Sequence, residues 1–240
     1  MPMRVAWKTH PGKKKKVNED FVLVDEESRL FLLADGMSRP CAGNIASSMA
    51  VQQAHSFLKD KIENAVSEDT VLDLMTQAVV HAHESVRKAS KKNPTYKGMG
   101  TTLVILFIKD EKAYLTHVGD SRAYRLRRRL EHITTDHTLE NEDHHGAMLR
   151  EMFSFQKARV LTQAVGPSRK LVCDGHHISF RKGDFLLLCS DGLTDMISND
   201  AIEHIIKMHG SEIDKTAASL VAAANRMGGQ DNISVVVITR

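Results

Sequence analysis

The chain is poor in the residues that mark secreted, membrane-spanning or thiolate-based proteins. It has three cysteines in 240 residues, Cys41, Cys173 and Cys189. They form no CxxC pair and leave one over, which excludes a thiolate zinc motif and fits a reducing compartment. Aromatic residues make up 5% of the chain, with a single tryptophan, so aliphatic side chains must fill most of the core. The first residues lack the apolar stretch of a signal peptide, and no run approaches the ~20 apolar residues of a membrane span. The expectation is a cytoplasmic protein with no membrane attachment. Neither GxGxxG nor GxxxxGK[ST] occurs, so nucleotide-binding folds gain no support. A net charge of +3 is too small to argue for nucleic acid. The basic runs at 13–16 and 125–129 read as solvated turns, and no aromatic residues are interleaved with them.

What is present is a set of short acidic elements, each beside an apolar run. Asn18-Glu19-Asp20 precedes Phe21-Val22-Leu23-Val24, and Asp35-Gly36 follows Leu30-Phe31-Leu32-Leu33. Gly119-Asp120 follows Tyr114-Leu115, Asp191-Gly192 follows Phe185-Leu186-Leu187-Leu188, and Asp231-Asn232 precedes Ile233-Ser234-Val235-Val236-Val237. Such runs, bounded by Gly, Asn and Asp, read as buried strands. One carboxylate at a strand end is turn chemistry. A set of them spread over the whole chain points to a fold that gathers them at one edge, where they repel unless a cation neutralises them.

The rest of the pattern fits a layered α+β domain. A hairpin near 21–35 is followed by two amphipathic helices. The first has Ile45, Met49, Ala50, Ala54, Phe57 and Leu58 on one face, with Pro40 at its start. The second repeats Leu72, Met75, Val79, Ala82 and Val86, capped by Ser67 or Asp69. Strands near 101–108, 112–118 and 123–126 have short connections and should pair antiparallel. Further strands fall near 172–180 and 184–189, helices near 200–208 and 214–226, and a last strand at 233–239. No linker divides the chain, so a single domain over 1–240 is expected. The segment 137–160 stands apart: polar at first, then amphipathic, it reads equally as a lid or as a surface helix. The paired histidines His81/His83, His144/His145 and His176/His177 lack an i, i+4 ligand arrangement and read as surface residues.

An oxygen-only donor set with glycine after Asp35 and Asp191 favours Mg²⁺ or Mn²⁺, or else Ca²⁺, a reading lowered by the absence of an EF-hand pattern. Two such ions about 3.5–4 Å apart activate a shared water toward phosphorus. The ordered motifs resemble those of the metal-dependent protein serine/threonine phosphatases of type 2C, particularly compact bacterial members. They are Asn18-Glu19-Asp20, Ala34-Asp35-Gly36-Met37, Gly98-Met99-Gly100-Thr101-Thr102-Leu103, His117-Val118-Gly119-Asp120-Ser121-Arg122, Thr134-Thr135-Asp136-His137, Leu161-Thr162-Gln163-Ala164-Val165-Gly166, Cys189-Ser190-Asp191-Gly192-Leu193-Thr194-Asp195 and Gly229-Gln230-Asp231-Asn232-Ile233-Ser234.

The resemblance implies a four-layer α-β-β-α sandwich of two antiparallel sheets flanked by helix pairs, with a flap at 137–160. It also implies roles. Asp35 bridges two metals, the Gly36 carbonyl meets the second, and Asp191 and Asp231 complete the first. Glu19 and Asp20 flank the second metal, Asp120 with Asp191 holds a third, and Lys15 stands where the family has a phosphate-binding arginine. Met37 replaces a histidine found after the Asp-Gly pair in many eukaryotic relatives, and the general acid is left without a candidate. The implied protein is a monomer that hydrolyses phosphoserine and phosphothreonine by attack of a metal-bridging hydroxide, on protein substrates including a bacterial Ser/Thr kinase. The rival readings are a catalytically weak phosphatase-like regulatory or phosphoprotein-binding domain, and a two-metal phosphodiesterase or nuclease.

Overall fold

The computed structural model describes residues 3–37, 42–139, 141 and 160–240. One sheet has the order β1-β11-β10-β7-β8, built from β1 (Arg4–His10), β11 (Ile233–Thr239), β10 (Phe185–Cys189), β7 (Arg122–Leu126) and β8 (Leu130–His132). The other has the order β2-β3-β5-β6-β9, with the short β4 also paired to β3. Its strands are β2 (Asp20–Asp25), β3 (Leu30–Met37), β4 (Gly100–Thr101), β5 (Leu103–Lys109), β6 (Lys112–Val118) and β9 (Asp174–Ser179). These strand pairs are antiparallel.

The continuous apolar runs follow from this stacking, because the central strands are buried on both faces. Along β3, Leu30 and Leu32 pack toward the helices α1 (Gly43–Leu58) and α2 (Glu68–Lys92). Phe31 and Leu33 point the other way, into a layer shared with Leu186, Leu188, Val236 and Ile238 of the opposite sheet. Successive strand side chains alternate between faces, so one run feeds two cores. On the far side Leu187, Val235 and Val237 meet Ile202 and Ile206 of α4 (Asn199–His209) and Leu220 and Val221 of α5 (Ile213–Arg226). Each such side chain, taken fully out of water, contributes about 1.5–3 kcal/mol. The α1 face is lined by Ala46, Ala50 and Ala54, small enough to let it approach both the sheet and α2.

The expected α+β sandwich of two antiparallel sheets with helical flanks is therefore what the chain forms. Ser67 is the cap of α2, accepting from the Thr70 amide at 3.1 Å. Pro40 and most of 137–160 lie outside the described residues. β1 and β8 were not expected. β1 is an edge strand whose apolar run is only Val5-Ala6-Trp7 between polar residues; pairing with β11, from Arg4 opposite Thr239 to His10 opposite Ile233, defines it.

Candidate active site

The hairpin of β2 and β3 sets Asp20 directly opposite Asp35. Like charges at facing positions of adjacent strands are destabilising. Asp20 is buried, and that burial, followed by the charges of Asp191 and Asp231, pushes its pKa up to about 7 against hydrogen bonds from Ser234 and Ser190. Ser190 Oγ donates to Asp20 Oδ2 at 2.8 Å, whereas Oδ1 is buried with no hydrogen-bond partner. Desolvation, then Asp20, Asp191 and Asp120, hold Asp35 well above the ordinary carboxylate range. The acids spread along the sequence thus meet at one end of the sandwich.

Each is held from behind. The Asp35 amide donates to Thr102 Oγ1 at 2.9 Å, and its carbonyl accepts from Thr101 Oγ1 at 2.8 Å. Thr102 Oγ1 lies 2.7 Å from the Ser121 hydroxyl, tying β3 to the turn that carries Asp120. Asp120 is itself buried and follows Gly119, whose φ of +99° a side chain would strain. Asp191 opens the short helix α3 (Asp191–Thr194) directly after β10. The Glu19 carbonyl accepts from the Gly36 amide at 3.1 Å and Ser47 Oγ at 2.5 Å, and its Oε1 accepts from the Gly43 amide at 3.0 Å.

Asn232 is the residue that joins the two ends of the chain here. Its Nδ2 donates to the carbonyls of Pro11 and Val17, each at 3.0 Å, and its Oδ1 accepts from the Glu19 amide at 2.8 Å. Its own amide donates to Asp231 Oδ1 at 2.8 Å. Lys15 Nζ then reaches that same oxygen at 2.8 Å. Burial works against the Lys15 ammonium, but Asp231, Asp35 and Glu19 together outweigh it and raise its pKa. With both side chains nearly half exposed, the pair is worth little and is readily exchanged for another partner.

The supporting roles of Asn232, Ser190, Ser47 and Thr102 were not anticipated. Asn232 and Ser190 stand next to aspartates in the motifs, but nothing in the spacing says which carbonyls an amide reaches. Ser190 is fully buried between Asp20 and the Ser234 amide, so it is a support and not a nucleophile. The Arg122 and Asp136 motifs prove to lock onto one another: Nε and Nη2 donate to both carboxylate oxygens at 2.6–3.0 Å. The histidine reading needs correction. His83 is buried, its Nδ1 accepting from the Gly166 amide at 3.0 Å, because α2 turns it onto the loop before Pro167. His144 and His145 lie outside the described residues.

Close packing leaves no room for a side chain at Gly192. A Cβ on Gly192 would sit 1.9 Å from the Asn232 carbonyl oxygen. Gly192→Ala should cost about 1–3 kcal/mol of stability, the range for overpacked sites, and displace Asp191 from Asp231. A denaturant midpoint equal to wild type would show that the helix and strand separate freely.

Two antiparallel sheets between helical layers, with acids gathered at one end, define the class: the chain has the architecture of the bacterial serine/threonine phosphatases among solved structures. The family model described as protein phosphatase 2C matches residues 9–225, and the chain belongs to that family of protein serine/threonine phosphatases. It is 35% identical to protein phosphatase PhpP of Streptococcus pneumoniae over 243 aligned residues, covering 99% of this chain and 97% of that protein. The S. agalactiae serine/threonine phosphatase superimposes with a TM-score of 0.87 at 28% identity, covering 99% of each chain. The catalytic domain of the serine/threonine phosphatase PstP in complex with two manganese ions gives a TM-score of 0.82 at 31% identity, covering 99% of this chain and 97% of that one.

Proposed function

We propose that this phosphatase is a Mn²⁺- or Mg²⁺-dependent hydrolase of phosphoserine and phosphothreonine in proteins, working from the Asp35 cluster. The observation that carries the reading is the facing pair Asp20 and Asp35, with a buried Asp20 oxygen that no protein donor satisfies. Neither an ordinary core nor a turn requires that arrangement; a hard cation does. The residues fit such a group. Asp35, Asp191 and Asp231 with the Gly36 carbonyl would be its principal ligands, Glu19 and Asp20 its flank, and Asp120 with Asp191 a third position. Bound there, divalent cations supply charge neutralisation and an acidified water that can attack phosphorus in line.

The chain's own groups do the remaining work. Ser190, itself held by the Ser234 amide, fixes the Asp20 carboxylate, and Thr101 and Thr102 fix the Asp35 backbone, which keeps the two acids at facing positions. Lys15, once released from Asp231, is placed to pair with a phosphoryl oxygen as a flexible point charge. The same reading makes 1–240 one catalytic domain with 137–160 as its substrate-selecting flap, acting as a monomer in the cytoplasm. Its substrates would include a Ser/Thr kinase.

Hydrolysis of an aryl phosphate with Mn²⁺ and again with EDTA tests the metal requirement; full turnover in EDTA would refute it. Lys15 has its own test. Lys15→Ala should raise KM for the phosphomonoester about tenfold with a smaller change in kcat, and Lys15→Arg should restore it. An unchanged KM in the alanine variant would remove Lys15 from phosphate recognition.

A further inference from the structure

Among the described residues outside the carboxylate cluster, one group of side chains is arranged as metal ligands and lies apart from the phosphatase reaction. His117, His137 and Asp174 offer ligand atoms that all lie within 4.8 Å of one another. His117 sits at the end of β6 and faces Asp174 across the pairing with β9, and its ring stacks on His137 with centroids 4.7 Å apart. His117 is fully buried, and its Nε2 is taken up by the Thr135 carbonyl at 2.9 Å. That bond leaves the lone pair on Nδ1, which is buried and has no hydrogen-bond partner. A ring nitrogen held by a backbone carbonyl, with its other nitrogen bare, is the arrangement of a metal-bound histidine. His137 Nε2 lies 3.3 Å from Asp174 Oδ2, and Asp174 is half exposed, so a cation can reach the group from solvent.

We propose that His117 Nδ1, His137 Nε2 and the Asp174 carboxylate form a second metal site, of zinc class, at the root of the 137–160 segment. Two imidazoles and one carboxylate suit a borderline ion such as Zn²⁺, whereas the Asp35 cluster offers only oxygen. The segment's stem closes beside the site, with the Thr162 amide donating to the His137 carbonyl at 2.9 Å and Thr138 bridged to Leu161.

Loading has a consequence for the phosphatase centre. The Gly119 amide donates to His137 Nδ1 at 3.2 Å, which keeps the ring proton on Nε2. A cation on Nε2 transfers that proton to Nδ1, with no net release, and Nδ1–H then opposes the Gly119 N–H. The contact must open, and Gly119 precedes Asp120. Zinc at this site therefore removes one of the two hydrogen bonds that join His137 to the turn presenting Asp120, leaving the His137 amide on the Gly119 carbonyl at 3.0 Å.

The test uses the whole chain with the carboxylate cluster disabled, Asp35→Asn/Asp191→Asn, titrated with Zn²⁺ by calorimetry after circular dichroism confirms folding. One Zn²⁺ should bind, and adding His137→Ala or Asp174→Asn should weaken it at least ~100-fold, the upper end of what lost outer-shell partners alone cost. No binding in the Asn/Asn background, or binding indifferent to those substitutions, overturns the site. Should that background not fold, Co²⁺ added to the wild-type chain decides. Visible absorption of a nitrogen-ligated ion that disappears in His137→Ala supports the proposal, and its absence from wild type ends it.

Discussion

Asp35→Asn is expected to abolish turnover and, at the same time, to make the metal-free protein more stable. Outer-shell partners of a metal ligand typically cost ~10–100-fold when removed; a carboxylate shared by the whole cluster should cost on the order of 10³-fold or more in kcat. The stability change has the opposite sign. In the unfolded chain Asp35 is ionised near pH 8, whereas in the fold desolvation and then Asp20, Asp191 and Asp120 resist its ionisation. Folding must therefore take up a proton or tolerate the repulsion. An asparagine of the same shape carries no such cost and can donate to Asp191. In EDTA the variant should melt higher than wild type, by about 2–4 °C for each kcal/mol relieved in a chain of this size. Activity within tenfold of wild type would dismiss Asp35 as a ligand, and a lower melting temperature would deny the repulsion. Such an exchange of stability for function is expected of a site assembled around a missing charge.

The second large effect is a reversal of the pH dependence of stability by metal. For an acid whose pKa is raised on folding, the native state binds more protons than the unfolded state, so stability falls as pH rises between the two values. Asp20, raised to about 7, and Asp35 act in this sense. His117, lowered to about 4 chiefly by burial, and His83 and His176, also lowered chiefly by burial, act oppositely until the unfolded imidazole, half protonated at about pH 6.5, has lost its proton by about pH 7.5. Asp25 and Asp184 have lowered pKa values, and the stability they contribute is lost only in acid. Above about pH 7.5 the carboxylate cluster, Asp35 above all, therefore governs, and the metal-free protein should lose stability as pH rises to about 8. With Mn²⁺ at about a hundred times its dissociation constant the gain is about 2.7 kcal/mol. That gain should grow with pH as protons cease to compete. Melting curves at about pH 7.5 and about pH 8, in EDTA and in Mn²⁺, measure both slopes. Parallel slopes would mean that the cation binds elsewhere.

Much of this site was legible because the motifs carry it: Glu19, Asp20, Asp35, Gly36, Asp120, Asp191, Asp231 and Lys15 all come to one end of the sandwich. The strands were legible too, since a run buried on both faces needs no alternation to be noticed. β1 was not, because an edge strand is half solvated and its character comes from its partner β11. The histidines misled for a similar reason. The burial of His83 is set by which face of α2 meets a neighbour, and local spacing holds no record of that for a single residue.

By itself, then, the amino-acid sequence pointed to the layered α+β fold, the phosphatase family and the acids that gather at one end of the sandwich, because periodicity and motif order are local properties of a chain. Only the tertiary structure decided that Asp20 faces Asp35 with one oxygen unsatisfied, that Asn232 ties both ends of the chain to Glu19, and that His117 lies bare-nitrogened beside Asp174. Those are matters of register and burial between residues distant in sequence, and the free energy of a buried charge or an unbonded nitrogen depends on what the fold brings next to it.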